Sequence, residues 1–225
     1  MTGSLDQDLL LGLNALAGTH AGFYELATNS LFRGVPIFGS LVALWFVDDC
    51  ARRRSRMLAG LFGVCLATVL SVWVQFHVFI HTRPLLDPAL HLNTVAVPWS
   101  WDRQSSFPSD TATLFFGLAT VVFIENRFAG WLCFLWATVV VALSRVAFAF
   151  HYPSDVAGSL VLGVAFVVLF TKPPYPRVVI ERILVALGNR MYLVHAFLFV
   201  FLAEASNLFL SLEQLGKDLV RMVHS

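Results

Sequence analysis

The chain has 225 residues, of which 58% are apolar and 13% are charged, and its mean hydropathy is +0.75. A soluble domain is typically about 45–50% apolar and about 25% charged, so this composition indicates a membrane protein. Lysine and arginine number 15 against 14 aspartates and glutamates, which gives a net charge of +1. Because there is no basic excess, nucleic-acid binding is excluded as the main role.

The first segment predicts a helix that lies at the membrane surface. Between residues 8 and 26, apolar side chains recur at helical spacing beside polar positions, at Leu9, Leu10, Leu13, Leu16 and Ala17. That pattern is typical of an interfacial amphipathic helix. The N-terminus carries acidic rather than basic residues, which does not match a cleaved signal peptide. We therefore expect residues 1–30 to form an interfacial helix.

Six apolar runs follow, at residues 31–47, 57–80, 108–124, 128–143, 156–171 and 191–210. A helix that crosses a bilayer needs about 20 mostly apolar residues, and about 17 are tolerated. The sequence therefore predicts an all-α fold, a polytopic helical bundle that forms one membrane domain over residues 1–225. Residues 31–171 are the expected core, and residues 172–225 add C-terminal helices.

Lysine and arginine in the connections predict the orientation of this bundle. Nine basic residues fall on one side: Arg52, Arg53, Arg54, Arg56, Arg127, Lys172, Arg177, Arg182 and Arg190. The connections on the other side, at 81–107 and 144–155, hold only Arg83, Arg103 and Arg145. With a sixth span, Lys217 and Arg221 of the tail join them, which narrows the difference without reversing it. Because basic loops stay on the cytoplasmic side, these two connections are predicted to face outward.

The outward connections carry side chains that suit phosphate chemistry. Arg83-Pro84 follows the second span, SFPSD at 106–110 opens the third, and SRVAFAFHYPSD at 144–155 joins the fourth span to the fifth. Charged residues beside apolar spans are expensive and usually mark a site. The guanidinium groups of Arg83 and Arg145 match phosphate oxygens bidentately.

The start of the third span predicts an anion-binding helix end. Pro108 favours a helix start, so the free N–H groups around Ser109, Asp110 and Thr111 are expected to point outward. Those amides and the helix dipole together attract an anion. We therefore expect Ser109, Asp110 and Thr111 to bind the substrate phosphate alongside the two arginines.

The last of these segments carries a candidate nucleophile. His151 and Asp155 are four residues apart, a spacing that places both on one helix face. The carboxylate can hold one imidazole nitrogen as N–H and leave the other free to attack. Two guanidiniums, a helix N-terminus and an oriented histidine imply phosphoryl transfer through a phosphohistidine. We see no metal site in the sequence and expect no cofactor.

In their order and placement, Arg83-Pro84, SFPSD and S-R-x5-H-x3-D resemble the three signatures of the type 2 phosphatidic acid phosphatase superfamily. The chain is most similar to the bacterial undecaprenyl pyrophosphate phosphatases of that superfamily, over roughly residues 30–172. The resemblance implies that His151 is the nucleophile, that Asp155 orients it, and that Arg83, Ser109 and Arg145 bind phosphate. It also implies a phosphatase core at 31–171.

The same resemblance implies a substrate and a location. The substrate is a lipid phosphate or a polyprenyl diphosphate, and the partners are membrane lipids. The protein is expected in the bacterial inner membrane, with its active site facing the periplasm or the exterior. The sequence leaves the oligomeric state open.

Two positions depart from the signatures. Phe76 stands where the first signature has a lysine, seven positions before its arginine, and Thr111 stands where the second has a histidine that protonates the leaving group. A threonine hydroxyl does not titrate near pH 7 and cannot replace an imidazole as general acid. The alternative proton sources are His81, His91 and Asp87. A diphosphate substrate suffers less from the loss, because its leaving group needs less help than an alkoxide.

Two other functions stay open at this point. His151 could pass the phosphoryl group to another lipid or to a sugar instead of water, which would make the protein a phosphotransferase. The changes at Phe76 and Thr111 also allow a degenerate member that binds or transports a phosphorylated lipid. The intact pair of His151 and Asp155 argues against that third hypothesis.

Overall fold

The computed structural model of the chain describes residues 4–18, 29–48, 50–78, 82–92, 105–172 and 174–207, together with Gly22 and Ala27. The regular structure of these residues is helical, as predicted. In chain order the helices are α1 (Ser4–Gly18), α2 (Ser30–Phe46), α3 (Ala51–His77), α4 (Asp110–Glu125), α5 (Arg127–Ala147), α6 (Pro153–Thr171), α7 (Pro174–Leu187) and α8 (Met191–Ser206). Two short 3₁₀ turns, Pro84–Leu86 and Pro88–Leu90, lie between α3 and α4.

Each of the six predicted spans corresponds to a helix, and the prediction of a helical membrane bundle is confirmed. Helices α3, α5 and α6 are long and apolar enough to cross a membrane, as is the stretch Pro176–Ser206 that contains most of α7 and all of α8. Helices α2 and α4 are shorter, with 17 and 16 residues. Residues 208–210 of the last predicted span lie outside the described residues.

Helix α7 lies in the C-terminal region where further helices were predicted, but outside the six apolar runs. Its apolar residues face α3, where Ile180, Ile183 and Leu184 line one groove with Leu61 and Phe62. Gly188, with φ at +44°, then interrupts the helical path before α8 begins. Glycine readily adopts this left-handed backbone conformation, which is common where a helix ends.

Helices α3, α4 and α6 form the centre of the bundle. They approach closely at glycines: a Cβ atom at Gly63 would lie 2.9 Å from the carbonyl oxygen of Phe166, and one at Gly163 would lie 2.7 Å from that of Thr113. Small residues at such crossings allow the close packing that associates helices in lipid. Helix α4 is buried throughout residues 111–122, which explains why it is apolar on every face.

Ion pairs mark one end of the bundle, where α3 begins and α4 ends. Arg56 binds Glu125 through two N–O contacts of 2.6 Å, and Arg53 lies 2.9 Å from Asp48. We call this the basic end. The ends of α3 and α5 and the starts of α4 and α6 lie at the opposite end, which we call the site end.

Helix α1 packs across the site end. Leu10 is fully buried, and Asn14 Nδ2 donates a hydrogen bond of 2.9 Å to the carbonyl of Ala147. The carboxylate of Asp6 accepts hydrogen bonds from the amide and the hydroxyl of Ser154, at 3.0 and 2.7 Å. A carboxylate in this position stabilises the start of α6. Of the interfacial helix predicted at 8–26, residues 19–21 and 23–26 lie outside the described residues.

Candidate active site

The residues predicted for the site all lie at the site end, on three chain segments: Arg83 on the first, Ser109, Asp110 and Thr111 on the second, and Arg145, His151 and Asp155 on the third. Backbone hydrogen bonds join these segments. The amide of Ser105 donates to the carbonyl of Gln75, and the amide of Leu85 donates to that of Ala149, each at 2.9 Å. Three connections that are far apart in sequence therefore form one surface.

His151 is buried, and its two ring nitrogens have different surroundings. Nδ1 lies 2.7 Å from the carbonyl oxygen of Ser106. Because a carbonyl can only accept, this bond requires the hydrogen on Nδ1 and leaves the lone pair of the neutral ring on Nε2. Nε2 lies 3.5 Å from Nη1 of Arg83, a group that can only donate. The ring is thus held in the tautomer that a nucleophile needs, with its lone pair toward a cation.

The charge state of His151 follows from its burial and its neighbours. Burial lowers the pKa of His151 below its ordinary value, and the positive charge of Arg83 acts in the same direction. The side-chain contact with Asp155 raises this pKa, as do the negative charges of Asp155 and Asp110, and together they offset only part of the change. The imidazole is therefore neutral at pH 7, and its lone pair is available.

Asp155 stands behind the imidazole. Its Oδ2 lies 3.8 Å from Nδ1 of His151 and accepts a hydrogen bond of 2.8 Å from the amide of Tyr152. The second contact belongs to a capping box at the start of α6. The short hydrogen bond at Nδ1 goes to the carbonyl of Ser106 rather than to this carboxylate, which differs from the arrangement predicted from the spacing. Asp155 instead places a buried negative charge beside the ring.

Arg83 is buried, and three different groups contact its guanidinium. Nη1 donates to the carbonyl of Phe150 at 3.4 Å in addition to facing His151, and Nη2 donates to Oε1 of Gln75 at 3.1 Å. Burial lowers the pKa of Arg83, while Asp110 and Asp155 raise it. An arginine stays charged under such conditions. The guanidinium is therefore a fixed cation beside the nucleophilic nitrogen.

The turn from α5 to α6 brings Arg145 to the same place. Its carbonyl accepts hydrogen bonds from the amides of Phe150 and His151, at 3.0 and 3.2 Å. Ala149 takes φ at +58° in this turn, a conformation that costs an L-residue about 1–3 kcal/mol. The guanidinium carbon of Arg145 lies 5.6 Å from the centre of the Phe150 ring. Arg145 thus stacks on Phe150, the residue whose carbonyl binds Arg83.

The sequence predicts free amide groups at the start of α4, but two of the amides there donate to side chains. The amide of Ala112 donates to Oγ of Ser109 at 3.3 Å, and that of Thr111 donates to Oδ1 of Asp110 at 2.8 Å. Serine and aspartate side chains compete for such amides at a helix start. The Thr111 amide is therefore not free in this structure. Ser109 Oγ accepts this hydrogen bond through its oxygen, so its own hydrogen can still be donated.

Gln75 is a site residue that the sequence analysis missed. It lies near the end of α3 and is buried, with Nε2 donating to the carbonyl of Pro108 at 2.7 Å and Oε1 accepting from Arg83. Phe76, the position of the missing lysine, points away and is 57% exposed. The signal was present as an amide side chain inside an apolar span, where polar groups are expensive.

The structure describes two of the three alternative proton sources, His91 and Asp87. His91 is exposed, and Oδ1 of Asp87 accepts from the amide of Ala89 in a local turn. His81 lies outside the described residues, as does Arg103. Within the part of the chain that the structure describes, no three His, Cys, Asp or Glu side chains are grouped so that they could hold a metal ion.

Comparisons with known proteins cover the segment that carries the site. The model of the PAP2 superfamily matches residues 56–177. The undecaprenyl-diphosphatase BcrC of Bacillus subtilis (strain 168) is 28% identical over 132 residues, which are 59% of this chain and 64% of that protein. YbjG of Escherichia coli (strain K12), a candidate undecaprenyl-diphosphatase by its name, is 28% identical over 169 residues, 72% of this chain and 79% of that protein.

A third relative has a name of another kind. The bacitracin transport permease protein BcrC of Bacillus licheniformis is 41% identical over 72 residues, 31% of this chain and 35% of that protein. The chain thus spans less than two thirds of the length of each of the two Bacillus relatives. No solved structure matches the chain.

Proposed function

The chain belongs to the PAP2 superfamily, and on that premise we propose that it is an integral membrane phosphatase that hydrolyses a polyprenyl diphosphate or a lipid phosphate. One observation carries the proposal. His151 holds its hydrogen on Nδ1 against Ser106 and presents Nε2 3.5 Å from the guanidinium of Arg83. Attack on a phosphate requires a nucleophilic lone pair and a nearby cation that stabilises the negative charge of the phosphate oxygens. Two relatives named for undecaprenyl-diphosphatase activity support the substrate class.

In the first step, Nε2 of His151 attacks the terminal phosphorus. An N–P bond forms as the P–O bond to the leaving group breaks, and the electrons of the broken bond go to the leaving oxygen. Arg83, Arg145 and the Ser109 hydroxyl hold the other phosphate oxygens. Nδ1 keeps its hydrogen, so the phosphorylated ring is positively charged. The nearby carboxylate of Asp155 stabilises that charge.

In the second step, water attacks the phosphohistidine. An O–P bond forms, the N–P bond breaks, and its electrons return to Nε2 of His151. One proton of the water passes to the product phosphate or to solvent. Inorganic phosphate leaves, and the neutral ring is ready for another substrate.

A diphosphate suits this site better than a monoester. A monoester expels an alkoxide, which must be protonated as it leaves, whereas a diphosphate expels a phosphate group that carries the charge on its own oxygens. The hydroxyl of Thr111 lies 3.4 Å from Oδ1 of Asp110 and does not titrate near pH 7. The chain therefore lacks a proton donor at this position, which penalises monoesters more.

The site is proposed to face outward. The positively charged connections gather at the basic end, and such residues stay on the cytoplasmic side of a membrane. The site end then opens to the periplasm or the exterior of a bacterial cell.

The test is phosphate release by the purified full chain in detergent, from a prenyl diphosphate and from lipid monophosphates. We expect turnover that survives EDTA, and a loss of at least about 10³-fold in His151→Ala, because the nucleophile is gone. The matched control is His77→Ala, which removes an exposed histidine whose Nδ1 contacts the carbonyl of Trp73, and which should retain full turnover. Near-normal turnover by His151→Ala would overturn the mechanism.

A rapid-quench experiment tests the covalent step by itself. Diphosphate labelled in its terminal phosphate should leave label on the wild-type chain that survives base and is lost in acid, as expected for an N–P bond. An active wild-type protein that never carries label would refute the phosphohistidine while leaving the phosphatase activity in place.

The name of the Bacillus licheniformis relative favours a second candidate, binding or transport of a phosphorylated lipid. The altered position Thr111 favours a third, transfer of the phosphoryl group to another lipid or a sugar. The same assay separates them. A binding protein takes up substrate without releasing phosphate, and a transferase phosphorylates an added acceptor and releases little phosphate without one.

A further inference from the structure

Arg33 is a buried arginine on α2 that the mechanism above does not use. The residue is 6% exposed, and its Nε has no hydrogen-bond partner among the residues that the structure describes. A guanidinium always carries its charge, and a buried charge is costly unless something compensates it. In an apolar helix such a residue usually marks a site.

The register of two neighbouring helices places Arg33 at the site end. Helix α2 ends at the basic end, where the carbonyl of Trp45 accepts from Arg54, so α2 and α4 run in the same direction. The rings of Phe38 and Phe115 meet with their centres 6.1 Å apart. Five residues earlier on these two helices stand Arg33 and Asp110.

The charges of these two residues interact. Asp110 also interacts with Arg83 and with His151. Arg33 is thus a further buried cation at the site end, on the helix that packs beside the one beginning at Asp110.

The charge balance of the described site also depends on Arg33. Without it, the guanidiniums of Arg83 and Arg145 would be balanced by the carboxylates of Asp110 and Asp155. Arg33 makes the group positive while His151 is neutral. A diphosphate carries more negative charge than a monophosphate and gains more from that additional cation.

We propose that Arg33 binds the second phosphate of a diphosphate substrate, the one that departs with the lipid, and makes the site selective for diphosphates over monophosphates. The inference rests on the proposed function. Attack and departure at phosphorus lie roughly in line, so the leaving group extends away from Nε2 of His151. The electrons of the broken P–O bond go to an oxygen of that second phosphate, which Arg33 stabilises by charge-assisted hydrogen bonds.

This role compensates for the absence of a proton donor at Thr111. A leaving group can be stabilised by a proton or by a fixed cation. Since the hydroxyl of Thr111 supplies no proton near pH 7, the cation of Arg33 takes that part. An alkoxide leaving group has no second phosphate for Arg33 to hold, so the benefit is confined to diphosphates.

The experiment compares kcat/KM of the full chain on a short-chain prenyl diphosphate and on the corresponding monophosphate. Arg33→Leu should lower the value for the diphosphate by about 10²-fold or more, and that for the monophosphate by less than about 5-fold. Arg33→Lys keeps the charge but not the paired N–H donors of the guanidinium, so its kcat/KM for the diphosphate should lie between those of the wild type and Arg33→Leu. The matched control is Arg54→Leu, which removes another buried arginine at the basic end, stacked 5.4 Å from the Trp45 ring, and should leave the ratio unchanged.

Equal losses on both substrates would overturn the inference, because Arg33 would then support the fold alone. Recovery of diphosphate turnover in the double variant Arg33→Gln, Asp110→Asn would also overturn it, because Arg33 would then serve only to neutralise Asp110. Direct binding of methylenediphosphonate and of inorganic phosphate, measured by titration calorimetry, gives the same comparison without turnover. Arg33→Leu should weaken the diphosphonate by about 10-fold and leave phosphate unchanged. An inactive wild type would refute the proposed function, while this binding comparison would still decide the role of Arg33.

Discussion

The reactive side chains of the site are positioned by main-chain carbonyl groups. Nδ1 of His151 donates to Ser106, Nη1 of Arg83 donates to Phe150, and Nε2 of Gln75 donates to Pro108. The carbonyl groups are placed by the path of the backbone and not by the identity of the residue that carries them. Substituting a side chain that holds these backbone segments together should therefore alter catalysis, even though that side chain does not touch the substrate.

Gln75 provides the first such test. Gln75→Leu should lower kcat by about 10–10²-fold, because Nη2 of Arg83 loses its acceptor and the guanidinium is less well oriented. Gln75→Glu keeps an acceptor for Arg83 and should recover part of the loss. The measurements are kcat and KM for a diphosphate. The control is Thr68→Val on the same helix, where the hydroxyl donates only to the carbonyl of Val64. Wild-type kinetics in Gln75→Leu would show that Arg83 does not depend on this contact.

The pH profile tests the charges around His151. In the proposed mechanism the unprotonated ring is the reactive form, so we expect kcat/KM to fall on the acid side as His151 gains a proton. Asp155 raises the pKa of His151, so Asp155→Asn should lower that pKa further and move the acid limb to lower pH. The rate on the plateau should fall at the same time, because the phosphorylated ring loses a nearby negative charge. An acid limb that moves to higher pH would contradict the assigned electrostatics.

At the scale of elements, the spacing of α3, α4 and α6 determines where the three site segments meet. The crossing of α4 and α6 depends on Gly163, which has the carbonyl of Thr113 beside it. Backbone atoms cannot move aside as a flexible side chain can. The hydroxyl of Ser159, one turn nearer the site, donates to the carbonyl of Ser109 at 3.0 Å and joins the same two helices.

Gly163→Ala should therefore destabilise the bundle. Its Cβ atom would lie 2.7 Å from the Thr113 carbonyl oxygen, and overpacking of this kind costs about 1–3 kcal/mol. The measurement is the thermal unfolding midpoint in detergent. Gly39→Ala is the matched control, because a Cβ atom at Gly39 of α2 has no neighbour within 4 Å among the described residues. Equal midpoints for the two variants would mean that α4 and α6 separate without cost.

At the scale of the whole molecule, polar groups are sorted to the two ends of the bundle. The basic end is joined by ion pairs of Glu125 with Arg53 and Arg56, and the site end is covered by α1. Many large apolar side chains between the ends are exposed, for example Trp131, Phe199 and Val161. Such a surface is compatible with lipid and not with water.

The proposed outward orientation of the site end predicts a labelling pattern in intact cells. Ala89→Cys places a thiol on an exposed turn at the site end, and a membrane-impermeant maleimide should modify it. Cys50 is exposed at the basic end and should react only after the cells are opened. The variant Cys50→Ser distinguishes the two thiols. Labelling of Cys50 alone in intact cells would reverse the orientation.

The sequence by itself determined the helices and predicted the residues of the candidate site. Runs of apolar residues must form helices in a bilayer, because each backbone amide and carbonyl needs a partner within its own segment. The segment from Ser144 to Asp155 predicted His151 as the candidate nucleophile, because the chemistry of an imidazole, a nearby carboxylate and an arginine can be recognised without the rest of the fold. Helix α7 was not among the six predicted apolar runs, because its basic residues interrupt the apolar pattern.

Only the tertiary structure decided which atoms meet. The acceptor for His151 is a carbonyl 45 residues away, and Gln75 reaches a carbonyl 33 residues away. Carbonyls carry no signature in a sequence, since every residue has one. The sequence analysis did not select Arg33, and the register of α2 against α4 places it at the site end. The physical reason is that hydrogen bonds and charge interactions depend on distances of a few ångströms, which the packing of helices sets and the spacing along a chain does not.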